Sequence, residues 1–324
     1  MITTSDLEGL DVINCNSIDD FQVKLPSIYE RIEKNGFTII QAWDASQSIL
    51  EEISLYFGYI KNHPNADDTG INKLVTEHVI SEHKSNSNTF REYHYGYTDE
   101  LGLHTDASHI DGVAFLNGKV IRIAPPSLFL LLCVQPAQQG GANFLVDGQE
   151  ILQRLWQEEP EHFKIVTQPR VLSYCKSKYF SNYCSLFEQL ASGRWRVRFR
   201  HDTMFVEPWA YSSVKYVIDN YFLNPKFQKH HLLTERQIII VDNHRMLHGR
   251  DVITSHDINH PRTLYKAWIW DDSTDNLLRL MDTPPEMKHF QAYNVYLPKN
   301  LELGHKRLRP LQIGIKLESE AVQK

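Results

Sequence analysis

Two short stretches of this chain carry residues whose types and spacing could do chemistry. Leu103-His104-Thr105-Asp106 offers an imidazole and a carboxylate, and Asp242-Asn-His-Arg-Met-Leu-His248-Gly-Arg250 offers a second imidazole. Two imidazoles and one carboxylate can hold Fe(II) on one face and leave positions open for substrate and oxygen. The same set also suits Zn(II) with an activated water. In an extended segment residues i and i+2 point to one side, so His104 and Asp106 can reach one ion while Thr105 faces away. A second triplet, His109-Ile-Asp111, competes for this role. His104 follows the apolar run Leu101-Gly-Leu103 and reads as emerging from a strand, whereas His109 follows Ala-Ser and stands just before Gly112 in a loop-like setting. His104 and Asp106 are the preferred pair.

The elements that must position these groups are legible in outline. Ile238-Ile-Ile-Val241 reads as a buried strand leading to His248, and Gly249 behind it reads as permitting a tight turn. Arg262 opens the next run, Leu264-Tyr-Lys-Ala-Trp-Ile-Trp270, and so is delivered beside the histidine. Leu128 to Val134 and Asn143 to Val146 read as further strands. Nearer the N-terminus, Leu25, Ile28, Tyr29 and Ile32 share a helical face, as do Ile49, Ile53, Tyr56, Phe57 and Ile60, with Phe37 to Gln41 as a strand between them. Trp195, Val197 and Phe199 alternate with Arg194, Arg196, Arg198 and Arg200, which predicts a half-buried strand with a solvated arginine face, unless one or two near the strand's end, with His201 and Asp202 beyond, meet an anionic substrate group; Val214, Val217, Ile218 and Tyr221 then repeat at helical spacing. Mostly strands after residue 100, with few inserted helices, predict a mainly β protein with flanking helices, a double-stranded β-helix or jelly roll.

Two segments border the candidate site. Residues 107–127, with Gly112, Gly118, Pro125 and Pro126, read as a loop or hairpin near the metal that shapes the substrate space. Tyr93, Tyr95 and Tyr97 alternate on the approach to His104, either lining a pocket or packing on a sheet.

The 324 residues, 42% hydrophobic and 11% aromatic, can bury a large core. Without repeats or linkers they are expected to form a single domain over 1–324, with a jelly-roll core about 90–275, N-terminal support over 18–65 and a weakly ordered tail about 300–324. Four cysteines without C-x-x-C spacing argue against structural zinc and a disulfide framework. No apolar run or leader pattern suggests a membrane or secretion, so a cytoplasmic location is expected. The net charge of -6 argues against a nucleic-acid partner and leaves a small molecule, with the oligomeric state open.

Taken in order, the motifs resemble the Fe(II)/2-oxoglutarate dioxygenases of the taurine dioxygenase and clavaminate synthase group. Leu-His-Thr-Asp at 103–106 resembles their proximal half-site. Asp242 to Arg250, with an arginine 14 residues after His248, resembles the distal one. Gln138-Gln-Gly-Gly-Ala-Asn143-Phe-Leu-Val-Asp-Gly148 is similar to their Gly-Gly segment, and Asn35-Gly36-Phe-Thr-Ile-Ile40 to their N-terminal Gly-Phe strand. The resemblance implies that His104, Asp106 and His248 ligate Fe(II) and that 2-oxoglutarate chelates the metal with its distal carboxylate on Arg262. O2 is the oxidant, and succinate and CO2 are released. Asn143 stands where the family commonly has threonine; its amide N–H can donate the same hydrogen bond. Lys266, four residues past Arg262, stands where relatives carry a second basic residue, in contact with the co-substrate or a substrate acid, unless it merely snorkels.

The expected reaction is hydroxylation of an unactivated C–H in a small polar metabolite, such as an amino acid or natural-product intermediate. Asp106 argues against halogenation, which in related enzymes goes with a small residue at that ligand position. Desaturation or cyclisation at the same metal remains an alternative, as do a zinc-dependent hydrolase and a non-catalytic jelly-roll binding protein.

Overall fold

Runs that are apolar at successive positions make strands with both faces buried, and such runs build the larger of two facing sheets. The computed structural model describes residues 12–61, 66–76, 96–108, 112–116, 119–123, 125–176, 179–190, 193–255, 257–270 and 311–312. Across the large sheet the order is β1 (Ile13–Asn14), β2 (Phe37–Gln41), β17 (Gln237–Asp242), β8 (Leu128–Gln135), β20 (Thr263–Trp270) and β3 (Tyr59–Lys61), with β4 (Asn72–Val75) also paired to β20. Only β1 and β2 run parallel. Ile238, Ile240, Leu130, Leu132, Ala267 and Ile269 project outward onto α1 (Ile18–Asn35) and α2 (Gln47–Ser54). The alternate residues Ile239, Val241, Phe129, Leu131, Leu264 and Trp268 project inward and meet Leu145 and Met246 of the second sheet.

That second sheet has the order β16 (Gln228–His231), β10 (Asn143–Asp147), β18 (Met246–Arg250) and β5 (Leu101–His104). Its outer residues Leu103, Phe144, Val146 and Leu247 pack with α3 (Gly148–Glu158), α4 (Pro160–Val166) and α5 (Tyr211–Val217). The described residues therefore stack as helices, large sheet, small sheet and helices, the jelly roll expected from the strand pattern. Satellite pairs complete the strands: β6 (Gly112–Leu116) with β7 (Lys119–Ile123), β9 (Gln139–Gly140) with β19 (Ile253–Ser255), and β13 (Phe187–Gln189) with β14 (Trp195–Val197). A further sheet runs β12 (Tyr179–Cys184), β11 (Leu172–Lys176), β15 (Met204–Val206) and β21 (Leu311–Gln312).

Local chemistry explains the ends of these elements. The Ser17 hydroxyl accepts the Asp20 N–H and caps α1. At its other end Gly36 adopts φ 79°, donates its N–H to the Ile32 carbonyl and releases the chain into β2. The second helical stripe is shorter than its spacing predicts: α2 stops at Ser54, Tyr56 and Phe57 follow in a turn, and Ile60 belongs to β3. Apolar residues continue at similar spacing there because all of them reach the same face of the large sheet. Segment 107–127 contains the β6–β7 hairpin. Tyr93, Tyr95 and most of the tail lie outside the described residues. Among the described residues no helix is long and apolar enough to cross a membrane.

The arginine strand departs from expectation. Arg196, Arg198 and Arg200 are buried rather than solvated. Each is matched by an acceptor: Arg196 pairs with Glu188 at 2.6 Å, Arg198 donates to the Ser108 carbonyl and lies over the Tyr174 ring, and Arg200 pairs with Asp202 at 2.8 Å. Burying a charge is costly unless it is so partnered. Arg194 alone is half exposed, and it pairs with Asp242.

Candidate metal centre

His104 is the last residue of β5, and Asp106 lies two residues beyond it, where Ala107 at φ 55° turns the chain. His248 sits in the middle of β18, directly opposed to His104 in the ladder. The expectation that Gly249 marks a turn after His248 is therefore corrected. The turn lies earlier, between β17 and β18, and Gly249 is a strand residue whose missing Cβ leaves room for Phe144 and the Leu101 carbonyl. His104, Asp106 and His248 are all buried, and one ligand atom from each falls within 4.8 Å of the others. The competing His109 and Asp111 lie outside the described residues.

The imidazoles are presented in the form that a metal needs. Nδ1 of His104 lies 2.8 Å from the Gly102 carbonyl; since a carbonyl only accepts, the proton sits on Nδ1 and Nε2 is left with its lone pair. His248 Nδ1 has no hydrogen-bond partner, and its Nε2 stands 3.5 Å from Asp106 Oδ1, too long for a well-formed bond. Burial lowers the His104 pKa, and burial followed by the nearby His104 brings that of His248 down to about 3. Both rings are thus neutral at ordinary pH. Burial pushes Asp106 up, but the Lys266 ammonium and then the imidazoles outweigh it and hold the carboxyl well below the usual range. An under-bonded buried imidazole beside a second one and a carboxylate fits a divalent cation.

Around this cluster stand groups that hold Asp106. Trp268 donates its indole N–H to Oδ2 at 2.9 Å, and Lys266 forms an ion pair with the same oxygen. Lys266 also lies 4.7 Å from the Phe129 ring centroid, and the Phe129 ring lies 4.3 Å from that of His248. Lys266 thus stands beside the cluster, on the Asp106 carboxylate. Alternation along β20 puts Trp268 on the same face as Lys266, a signal in the sequence that could have found it. Asn243, in the turn before β18, binds the Asp106 backbone. It too was missed, because a turn asparagine normally serves its own turn.

Arg262 and Asn143 both neighbour Arg250, the first through its charge and the second across the strands. Arg262, just before β20, is buried, and its guanidinium has no hydrogen bond or ion pair among the described residues. Burial, followed by the charge of Arg250, brings its pKa down to about 10. Arg250 is opposed to Asn143 across β18 and β10 and donates to the Tyr97 and Asp99 carbonyls. The buried Nδ2 of Asn143 has no partner among the described residues. A buried guanidinium and a nearby orphaned amide donor are suited to a carboxylate.

The chain matches the family model described as taurine catabolism dioxygenase TauD, TfdA family over residues 8–268, and it belongs to that family. It is 28% identical over 180 residues to human gamma-butyrobetaine dioxygenase, a match covering 48% of this chain and 45% of that protein. The chain thus spans about half the length of that relative. A uridine-5'-phosphate dioxygenase of Streptomyces sp is 23% identical over 253 residues, covering 74% of this chain and 86% of the relative. Among solved structures, asparagine oxygenase in complex with Fe(II), 2S,3S-3-hydroxyasparagine and succinate superposes with TM-score 0.57 at 10% identity, covering 78% of this chain and 79% of that one. The non-heme iron oxygenase OrfP in complex with Fe and alpha-ketoglutaric acid superposes with TM-score 0.53 at 13% identity, covering 79% and 80%. These two likenesses are of fold.

Proposed function

We propose that the protein is an Fe(II)- and 2-oxoglutarate-dependent oxygenase that hydroxylates a C–H of a small polar metabolite, such as an amino acid or natural-product intermediate. The observation that carries this reading is a buried His104–Asp106–His248 cluster together with the buried guanidinium of Arg262, which is unpaired among the described residues. A zinc hydrolase or a binding protein has no use for Arg262 at that place. Family membership and the names of both curated relatives support the same reading.

In this proposal His104, Asp106 and His248 hold the metal, and Arg262 with Asn143 receives the distal carboxylate of 2-oxoglutarate. When bound, Fe(II) supplies O2 chemistry coupled to conversion of 2-oxoglutarate to succinate and CO2. The chain's own contribution is positional. The Gly102 carbonyl fixes the His104 tautomer, while Trp268, Lys266 and Asn243 fix Asp106. The inward apolar residues of both sheets keep bulk water away.

The test is anaerobic titration of the Fe(II)-loaded protein with 2-oxoglutarate, following the visible charge-transfer band of a chelated keto acid. The band is expected in the natural protein and absent in His248→Ala. In Arg262→Gln it is expected only at 2-oxoglutarate concentrations about tenfold to hundredfold higher, with metal retained. No band in folded, iron-loaded protein would sink the proposal.

A further inference from the structure

The row of residues that carries the two imidazoles does not end at His104. Leu145, His248 and His104 are directly opposed across β10, β18 and β5, and Arg200 continues the row through an antiparallel bridge to His104. Directly opposed residues send their side chains to the same face, with Cβ atoms about 4.5–5.5 Å apart. Arg200 therefore stands beside His104 on the side away from His248 and faces the space between the sheets. Phe199, its neighbour, points the other way into the outer core, as alternation requires.

Arg200 is buried, and Asp202 grips one edge of its guanidinium, accepting from Nε at 2.8 Å and from Nη2 at 3.1 Å. Its Nη1 has no hydrogen-bond partner among the described residues. Neither the metal set nor the co-substrate site uses this group. Asn143 and Arg250 lie two residues along β10 and β18 from Leu145 and His248, whereas Arg200 lies across the strands. The site thus has two separate cationic corners. Lys266, Arg200, Arg250 and Arg262 outnumber Asp99, Asp106 and Asp202, and a divalent metal with a dianionic co-substrate changes nothing in that excess.

We propose that Arg200, oriented by Asp202, anchors an anionic group, carboxylate or phosphate, on the primary substrate. This rests on the oxygenase reading and adds the substrate class to it. A guanidinium held along one edge presents its remaining N–H groups in a fixed direction, which is how arginine selects planar or tetrahedral oxyanions. Because Arg200 is one strand spacing, about 4.8 Å, from His104, the carbon offered to the metal lies only a few bonds from the anion.

The test titrates the anaerobic Fe(II)·2-oxoglutarate protein with paired probes and follows the shift of the charge-transfer band. The pairs are amino acids with their amides and nucleoside 5'-phosphates with their nucleosides, so that the arms separate carboxylate from phosphate. In one arm the members that carry the anionic group are expected to shift the band and those that lack it not. Arg200→Gln is expected to weaken that binding about tenfold to hundredfold while leaving 2-oxoglutarate binding unchanged. Arg200→Lys, which keeps a cation opposite Asp202 should the glutamine variant not fold, is expected to fall between. The inference is overturned if members lacking the anionic group bind as well, if no member carrying it acts at about 10 mM, or if folded Arg200 variants bind the anion normally. A natural protein that forms no band at all fails earlier, at the oxygenase reading itself.

Discussion

The Asn243 carboxamide is bonded to both sides of Asp106: Oδ1 accepts the Asp106 N–H at 2.8 Å, and Nδ2 donates to the Asp106 carbonyl at 3.1 Å. The same Nδ2 reaches the Pro126 carbonyl at 2.8 Å, and the Asn243 N–H donates to the Ser127 carbonyl. One residue therefore ties the turn before β18 to the residue after β5 and to the start of β8, and sets the distance between His248 and Asp106. Asn243→Ala strands these groups at about 1–3 kcal/mol each. It is expected to lower the melting temperature and to weaken Co(II) binding, read from the visible spectrum, at least about tenfold. Asn243→Asp, which turns lone pairs toward two carbonyls, should be no better. Normal Co(II) affinity in a folded Asn243→Ala protein would mean that Trp268 and Lys266 hold Asp106 without it.

Lys266 gives a prediction of opposite sign. Its ammonium occupies Asp106 Oδ2, so a metal must share that carboxylate with a cation already present. Removing a like charge at such range favours the incoming ion. Lys266→Met is expected to raise Co(II) affinity about tenfold while making the metal-free protein less stable, since Asp106 loses its closest counter-charge. Weaker metal binding would instead assign the ammonium a role in aiming the carboxylate.

How far the sequence could carry this reading is clear from particular residues. The clustering of His104, Asp106 and His248 was recoverable because residue type, strand context and order restrict such a set strongly. So was the place of Arg262 at the start of the next strand. The arginine strand was misread because a period of two reports that two faces differ, not that one of them meets water. Glu188 and the Ser108 carbonyl, which receive Arg196 and Arg198, come from other chain segments that local pattern cannot place, whereas Asp202 lies only two residues beyond Arg200. The role of Gly249 was misread for a related reason. A glycine after a histidine suggests a turn, whereas its actual cause is a ring from β10 pressed against β18.

That contact can be tested directly. A Cβ on Gly249 would stand 2.3 Å from Phe144 Cζ and 2.7 Å from the Leu101 carbonyl oxygen. Gly249→Ala should cost about 1–3 kcal/mol by overpacking and loosen the His248–His104 register. Phe144→Leu in the same chain should recover part of the melting temperature but not all, because the Leu101 carbonyl is backbone and cannot yield. Full stability of Gly249→Ala alone would show that β18 shifts freely.

The buried imidazoles make the metal-free protein acid-sensitive in a defined window. Burial, followed by His104, brings His248 to about 3, whereas an imidazole in the unfolded chain titrates near about 6.5. Between these values the unfolded chain binds a proton that the folded one does not. Stability therefore rises with pH through this window and is lost as pH falls from about 6.5 toward about 3. The lowered His104 acts in the same direction, and Asp106 adds to it at the acid end. Asp242, raised by burial, opposes it weakly. The melting temperature of chelator-treated protein is expected to fall steadily between about pH 7 and pH 4. His248→Gln, which has no proton to exclude, should show a shallower slope. Equal slopes in the two proteins would mean that His248 shares a proton with Asp106 when the metal is absent, and that a metal must displace it on binding.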